Sequence, residues 1–575
     1  MMLIQVLGGP LKEDLKQYKL LWSLSLDMDQ ALLTIYNQLQ SRIRVSYVND
    51  HCYRCLYQPL VSLNGCPSNS SVVISTRFSL SFTVEAENAS SVCSWSKTYG
   101  EAGRYLVWVQ QSDVSTITCM LTVDKNPINS YLPILVAALI LALLALVAVS
   151  VPYLLRFGSH DSMSEDGGCG EQAVQTKSKS SRLKSLDTFR GFSLTLMVFV
   201  NYEGGGYWFF LHIPWNGLTV ADCVMPWFVF IMGTSIVLAF NVMWRRGVSR
   251  LQLLRKVTWR SVVLFLIGVC FMNYSARDGL LSWSWARIPG VLQRLGFTYF
   301  VLSLIHMWCL RKEIPLKQHN WWNPLQDIVL YWPEWIVILL LEILWLCLTF
   351  LLPVPGCPRG YLGAGGIGDN GMYPNCSGGA AGYIDRWLFG QHIYKYPTFK
   401  EMYQTTQSFD PEGVLGTINC IVIGFAGMQA GKIILYFRSR NFSILKRFLI
   451  WAILLGILAA ILTKCTRDKG FIPVNKNLWS LSFISCTGCF AFLLLGCLYF
   501  VIDVKGWWGG QPFIYPGMNS ILVYVGHTIL GYYFPFSWEM ARPNHAELLF
   551  KTLLGTVLWI LISYLLYRKR FFLKI

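Results

Sequence analysis

From residue 131 to the C-terminus, apolar runs with few charges follow one another, each near the roughly 20 residues a membrane-crossing helix needs. In hydrocarbon the backbone must satisfy its own hydrogen bonds, so such runs have to be helices. The first is Leu132–Leu155. Ten more lie near 187–206, 217–242, 254–274, 289–310, 332–353, 412–436, 445–465, 476–502, 511–534 and 548–567. The expected fold is a polytopic α-helical membrane protein with 11 transmembrane helices and a small N-terminal β-sandwich-like domain. Several soluble domains, which 575 residues would otherwise allow, are excluded because 54% of the chain is hydrophobic and gathered in these runs.

Residues 1–20 take no structural assignment; Met1–Pro10 lacks the basic start and long apolar core of a signal peptide, which suggests a missing start or a first span acting as signal anchor. Residues 21–130 alternate as SVVISTRFSLSFTVEAE, RYLVWVQQ and VSTITCMLTVD do, the pattern of short strands. Asn69-Ser-Ser71 and Asn88-Ala-Ser90 are glycosylation acceptors and suit an exported domain. Cys52-Tyr-Arg-Cys55 has no second CxxC and no paired histidines behind it, so disulfides of Cys52 and Cys55 with Cys93 and Cys119 are expected, and no metal. Residues 131–155 form the first span, 156–184 a flexible linker rich in Ser, Gly, Glu and Lys, and 185–575 a ten-helix domain.

The net charge of +17 needs no nucleic acid to explain it. With the N-terminal domain placed in a lumen, the loops left in the cytosol run from Trp244 to Lys256, Arg311 to Lys317, Phe437 to Arg447, Val504 to Gly510 and from Tyr567 onward, and four of these five are basic. The opposite loops hold the acceptors Asn273 and Asn375 and the Cys357/Cys376 pair. Asn441-Phe-Ser443 falls on the cytosolic side and is expected to stay unmodified.

Polar groups inside such spans are costly and mark functional sites by default. Arg182–Trp227 gathers the most. Asp187 and Arg190, at i and i+3, share a helix face and can pair. Asn201 closes the apolar run, Gly204, Gly205 and Gly206 break it, His212 follows in an aromatic segment and Asp222 opens the next run. A histidine there can take a proton or carry an acyl group; it can equally sit in an interfacial belt with Trp208, Phe209, Phe210 and Trp215. His527 reads as packing and hydrogen bonding. Arg287 and Arg294 need anionic partners, for which Asp187, Asp222 or a bound phosphate are candidates. Asn419 and Asn519 are amides within spans that orient a substrate or bridge helices. Gly363-Ala-Gly365-Gly-Ile-Gly368 has neither a strand before it nor a helix after it, so no dinucleotide site is expected. Gly427-Met-Gln-Ala-Gly431-Lys432 reads as a small-residue packing face ending in a cytosolic lysine.

SLDTFRG, VNYEGGGYW, WNGLTVADCVMPWFVFIMG, RIPGVLQRLG, LLPVPGCPRGYLG, GGAAGYIDR, DPEGVLGTIN, GFIPVNKNLWSLS and YPGMNSILVYVGH, in that order, resemble the heparan-alpha-glucosaminide N-acetyltransferase family of lysosomal transmembrane acetyltransferases. The resemblance covers all the spans and, more loosely, the N-terminal domain. It implies transfer of acetyl from cytosolic acetyl-CoA to the terminal glucosamine amine of heparan sulfate, with His212 as the active-site histidine, Asn201 as its associated asparagine, and a homodimer in the lipid bilayer. Arg182, Lys184, Arg245 and Arg246 are then candidates to hold the CoA phosphates, with Arg294, Asn419, Asn519 and His527 further along the donor's path. The chain departs from the family pattern at Glu203. On residues alone, a carrier without catalysis and a glycan receptor remain competing classes.

Overall fold

The computed structural model describes residues 26–65, 67–87, 92–112, 116–160, 182–272, 286–309, 325–438 and 440–573. The segment 1–20, the linker residues 161–181, Asn88 and Asn273 lie outside them. Two compact units form, one from Met1–Cys52, Tyr57–Gly168 and Met540–Leu548, the other from Tyr53–Leu56, Cys169–Glu539 and Leu549–Ile575.

The first unit holds two four-stranded sheets. Strands β4 (Ser68–Ser75), β1 (Gln30–Asn37), β7 (Arg104–Ser112) and β8 (Thr116–Lys125) make one; β3 (Gln58–Leu63), β2 (Ile43–Asn49), β5 (Leu80–Ala86) and β6 (Val92–Lys97) make the other. Every second residue points inward, so Leu33, Ile35, Val45, Phe82, Val84, Val107 and Val109 from both sheets form one dry core. Cys93 of β6 bonds to Cys119 of β8 across the sheets. This corrects the expected pairing of those two cysteines with Cys52 and Cys55, which are themselves disulfide-bonded. Asn69 is exposed on the edge strand β4. Leu132–His160 follows as helix α1.

The second unit is helical: α2 (Lys184–Asn201), α3 (Val220–Arg245), α4 (Arg250–Ile267), α5 (Val291–Cys309), α6 (Trp332–Leu351), α7 (Gly379–Phe389), α8 (Val414–Tyr436), α9 (Asn441–Thr463), α10 (Leu481–Leu498), α11 (Ser520–Leu530) and α12 (His545–Arg568). Among the described residues, six helices are by length and composition able to cross a membrane: α3, α6, α8, α9, α10 with its extension to Val504, and α12. The expected count of 11 is not reached on that measure. Helix α2 spends three positions on Lys184, Asp187 and Arg190, α4 carries Arg250, Arg255, Lys256 and Arg260, and α5 is interrupted by Gln293, Arg294 and His306. The run expected near 511–534 is two helices, Ile514–Met518 and α11, with non-helical Asn519 between them.

Helices α3 and α8 pack backbone to backbone. A Cβ on Gly233 would stand 1.9 Å from Gly424 O, and one on Gly427 1.9 Å from Phe230 O. The small-residue face at Gly427 and Gly431 is therefore a contact surface. Lys432, however, is buried and not in solvent; it pairs with Glu334, which also accepts from His306 at 3.0 Å. The Cys357–Cys376 disulfide closes the loop after α6, and Asn375 beside it is exposed.

Candidate active site

Helix α2 ends at Asn201, and the chain then takes four successive left-handed residues, Glu203, Gly204, Gly205 and Gly206, with φ of 75°, 53°, 72° and 77°. A left-handed turn costs L-residues roughly 1–2 kcal/mol each, which is why three of the four are glycine. Glu203 bears the strain without that relief. The turn redirects the chain through Trp208–Phe210 to His212 and into α3. At the start of α3 Thr219 and Asp222 form a capping box, and Asp222 Oδ2 accepts from Thr219 N (3.1 Å) and Thr219 Oγ1 (2.9 Å). Its other oxygen, Oδ1, lies 2.8 Å from His212 Nδ1.

A second strand of chain reaches the same histidine. Gly217 N donates to Val474 O (2.8 Å), and Asn475 Nδ2 to Asn216 Oδ1 (3.1 Å), so residues 474–476 run beside 212–217. Lys476 Nζ is thereby placed 2.8 Å from His212 Nδ1 and 3.7 Å from Asp222 Oδ1. The imidazole keeps 43% of its side-chain surface open while the rest is packed in protein. Desolvation by that packing, and next the Lys476 ammonium, hold His212 below the ordinary 6.5 against the pull of Asp222. Desolvation likewise lowers Lys476, with Asp222 opposing it.

Asn201 meets the other histidine. Its Nδ2 lies 2.9 Å from His527 Nε2, while His527 Nδ1 faces Val523 O at 3.0 Å. His527 is thus buried and hydrogen-bonded. With Asn201, Glu203, Tyr532, Trp538 and Lys551 it lines a cavity of about 770 Å³. Asn201 and His212 share no hydrogen bond among the described residues; they leave the turn Glu203–Gly206 in different directions.

Neither arginine meets the partners considered from sequence. Arg287 binds Asp410 and Glu412, which hold it charged well above its ordinary range despite burial. Arg294 is 3% exposed, donates to the carbonyls of Pro411 (2.9 Å) and Gly413 (3.0 Å), and lies 4.9 Å from the Trp479 ring. Asn419 donates to Trp479 O at 2.6 Å. Asn519 is used by the C-terminal tail, donating to Phe571 O and accepting from Leu573 N.

The Asp187–Arg190 pair forms at 3.2 Å, and Arg182 Nε joins it at 2.5 Å. Arg182 is thus engaged by a carboxylate, while Lys184, Arg245 and Arg246 line neither cavity. The cations facing the second cavity, about 310 Å³ and mostly apolar, are Arg190 and Arg260, beside Met197, Met225, Ser235 and Tyr299. Arg260 Nε is buried with no hydrogen-bond partner among the described residues. Sequence reading missed Arg260 and Lys476. A charge inside the run TWRSVVLFL was a usable signal for the first; nothing local marks the second.

A sequence profile described as heparan-alpha-glucosaminide N-acetyltransferase, catalytic, matches residues 182–319. The chain is 47% identical to the heparan-alpha-glucosaminide N-acetyltransferase of Mus musculus over 591 aligned residues, covering 96% of this chain and 90% of the mouse protein. Against the Homo sapiens protein of that name the identity is 47% over 592, covering 96% and 88%. Alike to both proteins over nearly its whole length, this chain belongs to the heparan-alpha-glucosaminide N-acetyltransferase family of acyltransferases.

Proposed function

We propose that the chain moves an acetyl group from cytosolic acetyl-CoA to the free amine of a terminal glucosamine of heparan sulfate, in the lysosomal membrane, with the His212 end of the bundle facing the lumen. The observation that carries this reading is the His212–Asp222 contact of 2.8 Å at the open end of the bundle. The acceptor amine is protonated in an acidic lumen and becomes nucleophilic only when a base removes that proton. His212 is that base. The amine nitrogen then bonds to the thioester carbonyl carbon, the C–S bond breaks as the imidazolium gives its proton to the departing sulfur, and the imidazole takes the second proton from the new amide nitrogen and releases it to solvent. Asn201 stabilises the oxyanion on that carbon.

The donor's apolar arm fits the cavity at Arg190 and Arg260, whose unpartnered Nε suits an anionic or carbonyl group. The polar cavity at Asn201, Glu203, Trp538 and Lys551, which His212 does not line, suits sugar units of the acceptor other than the one whose amine reacts. The exposed Asn69 and Asn375 are the expected glycan carriers. Helices α6 and α9 bury only 22% of their apolar windows, which suits lipid contact and a homodimer.

The test is His212→Ala in purified full-length protein given acetyl-CoA and glucosamine. Transfer should fall to background while CoA binding persists. Turnover at parent level would reject the reading. Labelling of the wild type by acetyl-CoA alone, lost in the variant, would show that His212 itself carries the acetyl group.

A further inference from the structure

One nitrogen of His212 has two claimants. Nδ1 lies 2.8 Å from Asp222 Oδ1, which only accepts, and 2.8 Å from Lys476 Nζ, which when charged only donates. If Nδ1 carries the proton it donates to Asp222, and Nε2 is an outward lone pair. If Nδ1 accepts from Lys476, the proton sits on Nε2 and the outward edge has nothing to accept with. An imidazolium, with both nitrogens protonated, would turn one N–H toward the ammonium. The other charges around the ring come from elsewhere in the fold: Glu412, before α8, acts on both His212 and Lys476, and Arg294 of α5 acts on Lys476. Asp222 Oδ2 is taken by the Thr219 cap, so only Oδ1 is left for His212 and Lys476.

We propose that Lys476 is a positioning residue for the transfer: by crowding Nδ1 of His212 beside Asp222, its ammonium opposes the doubly protonated ring and keeps Nε2 free as a proton acceptor in acidic surroundings. The inference rests on the reading of His212 as the base. Its mechanical basis is the pairing of 216–217 with 474–475, which fixes Lys476 without help from substrate. In an acidic compartment an imidazole of ordinary affinity would already be protonated and idle. A neighbouring fixed positive charge is the simplest correction, because it penalises the charged ring and leaves the neutral one alone.

The experiment compares full-length wild type with Lys476→Met, Lys476→Gln and Lys476→Arg by two readouts. The first is the acid limb of kcat/KM for glucosamine. The second is the pH midpoint for modification of His212 by diethyl pyrocarbonate, mapped by peptide mass. Met and Gln should move both midpoints up by about one pH unit, and Arg should restore them toward wild type. Unmoved modification midpoints in the two neutral variants, with thermal midpoints showing both folded, overturn the inference. A shifted modification midpoint with an unshifted acid limb upholds the Lys476 effect and instead rejects His212 as the base.

Discussion

At the scale of single residues, Asp222 carries two duties with its two oxygens, capping α3 with one and holding His212 with the other. Asp222→Asn keeps the size and removes the charge. Its amide can donate to Nδ1, which forces the proton onto the outward Nε2. Turnover should fall by about 10²–10⁴-fold with CoA affinity unchanged, a ratio that steady-state kinetics and direct binding would establish. Elsewhere, Glu334 is fully buried between Lys432 and His306. Glu334→Ala would strand a buried ammonium and cost about 3–5 kcal/mol, seen as a lower melting temperature in detergent; adding Lys432→Met should recover most of it. Lys432 was misread from sequence because a lysine near a span end ordinarily reaches water. Its Glu334 partner lies on another helix, 98 residues away.

At the scale of elements, α3 and α8 touch through glycines, and that contact sets where the His212 end of α3 sits. A Cβ at Gly233 meets a backbone oxygen at 1.9 Å, which no rotamer change can relieve. Gly233→Ala should therefore cost about 1–3 kcal/mol by overpacking, and the two helices must part to accept it. Thermal unfolding checks the cost; a melting temperature equal to wild type would show that the helices already tolerate a wider spacing. Apolar periodicity marked these helices well, since burial in either lipid or protein demands it. It marked α2, α4 and α5 less well by composition, because each carries charges that must find a partner in the same or a neighbouring helix. Asp187 and Arg190 do so within α2; Arg260 does so against the Tyr299 ring of α5, at 4.8 Å.

At the scale of the whole molecule, one buried carboxyl of the second unit favours acid. Asp385 of α7 is 2% exposed and accepts from Val414 N at 2.9 Å. Burial, reinforced by the charge of Asp410, pushes it up from 3.8 to about 7. The folded chain thus holds a proton that the unfolded chain releases. That term leaves stability whole below 3.8, erodes it as pH rises from 3.8 to about 7, and is constant above. It amounts to at most about 4 kcal/mol. Melting temperature should be higher near pH 5 than near pH 7.5, and Asp385→Asn should shrink the difference. An unchanged difference in that variant would assign the dependence to other groups.

Sequence alone pointed to apolar membrane helices from residue 131 onward and to short strands before them, and it marked the stretch from Asn201 to Asp222 as the candidate site. These follow from local periodicity and from the cost of polar groups among apolar ones, both of which are written in neighbouring residues. Only the tertiary structure decided who meets whom: Asn201 with His527, Arg287 with Asp410 and Glu412, Cys93 with Cys119, and Lys476 with His212 from 264 positions away. Such pairings depend on which helix ends and sheet edges come together. That is set by packing summed over the whole chain, and no window of sequence contains it.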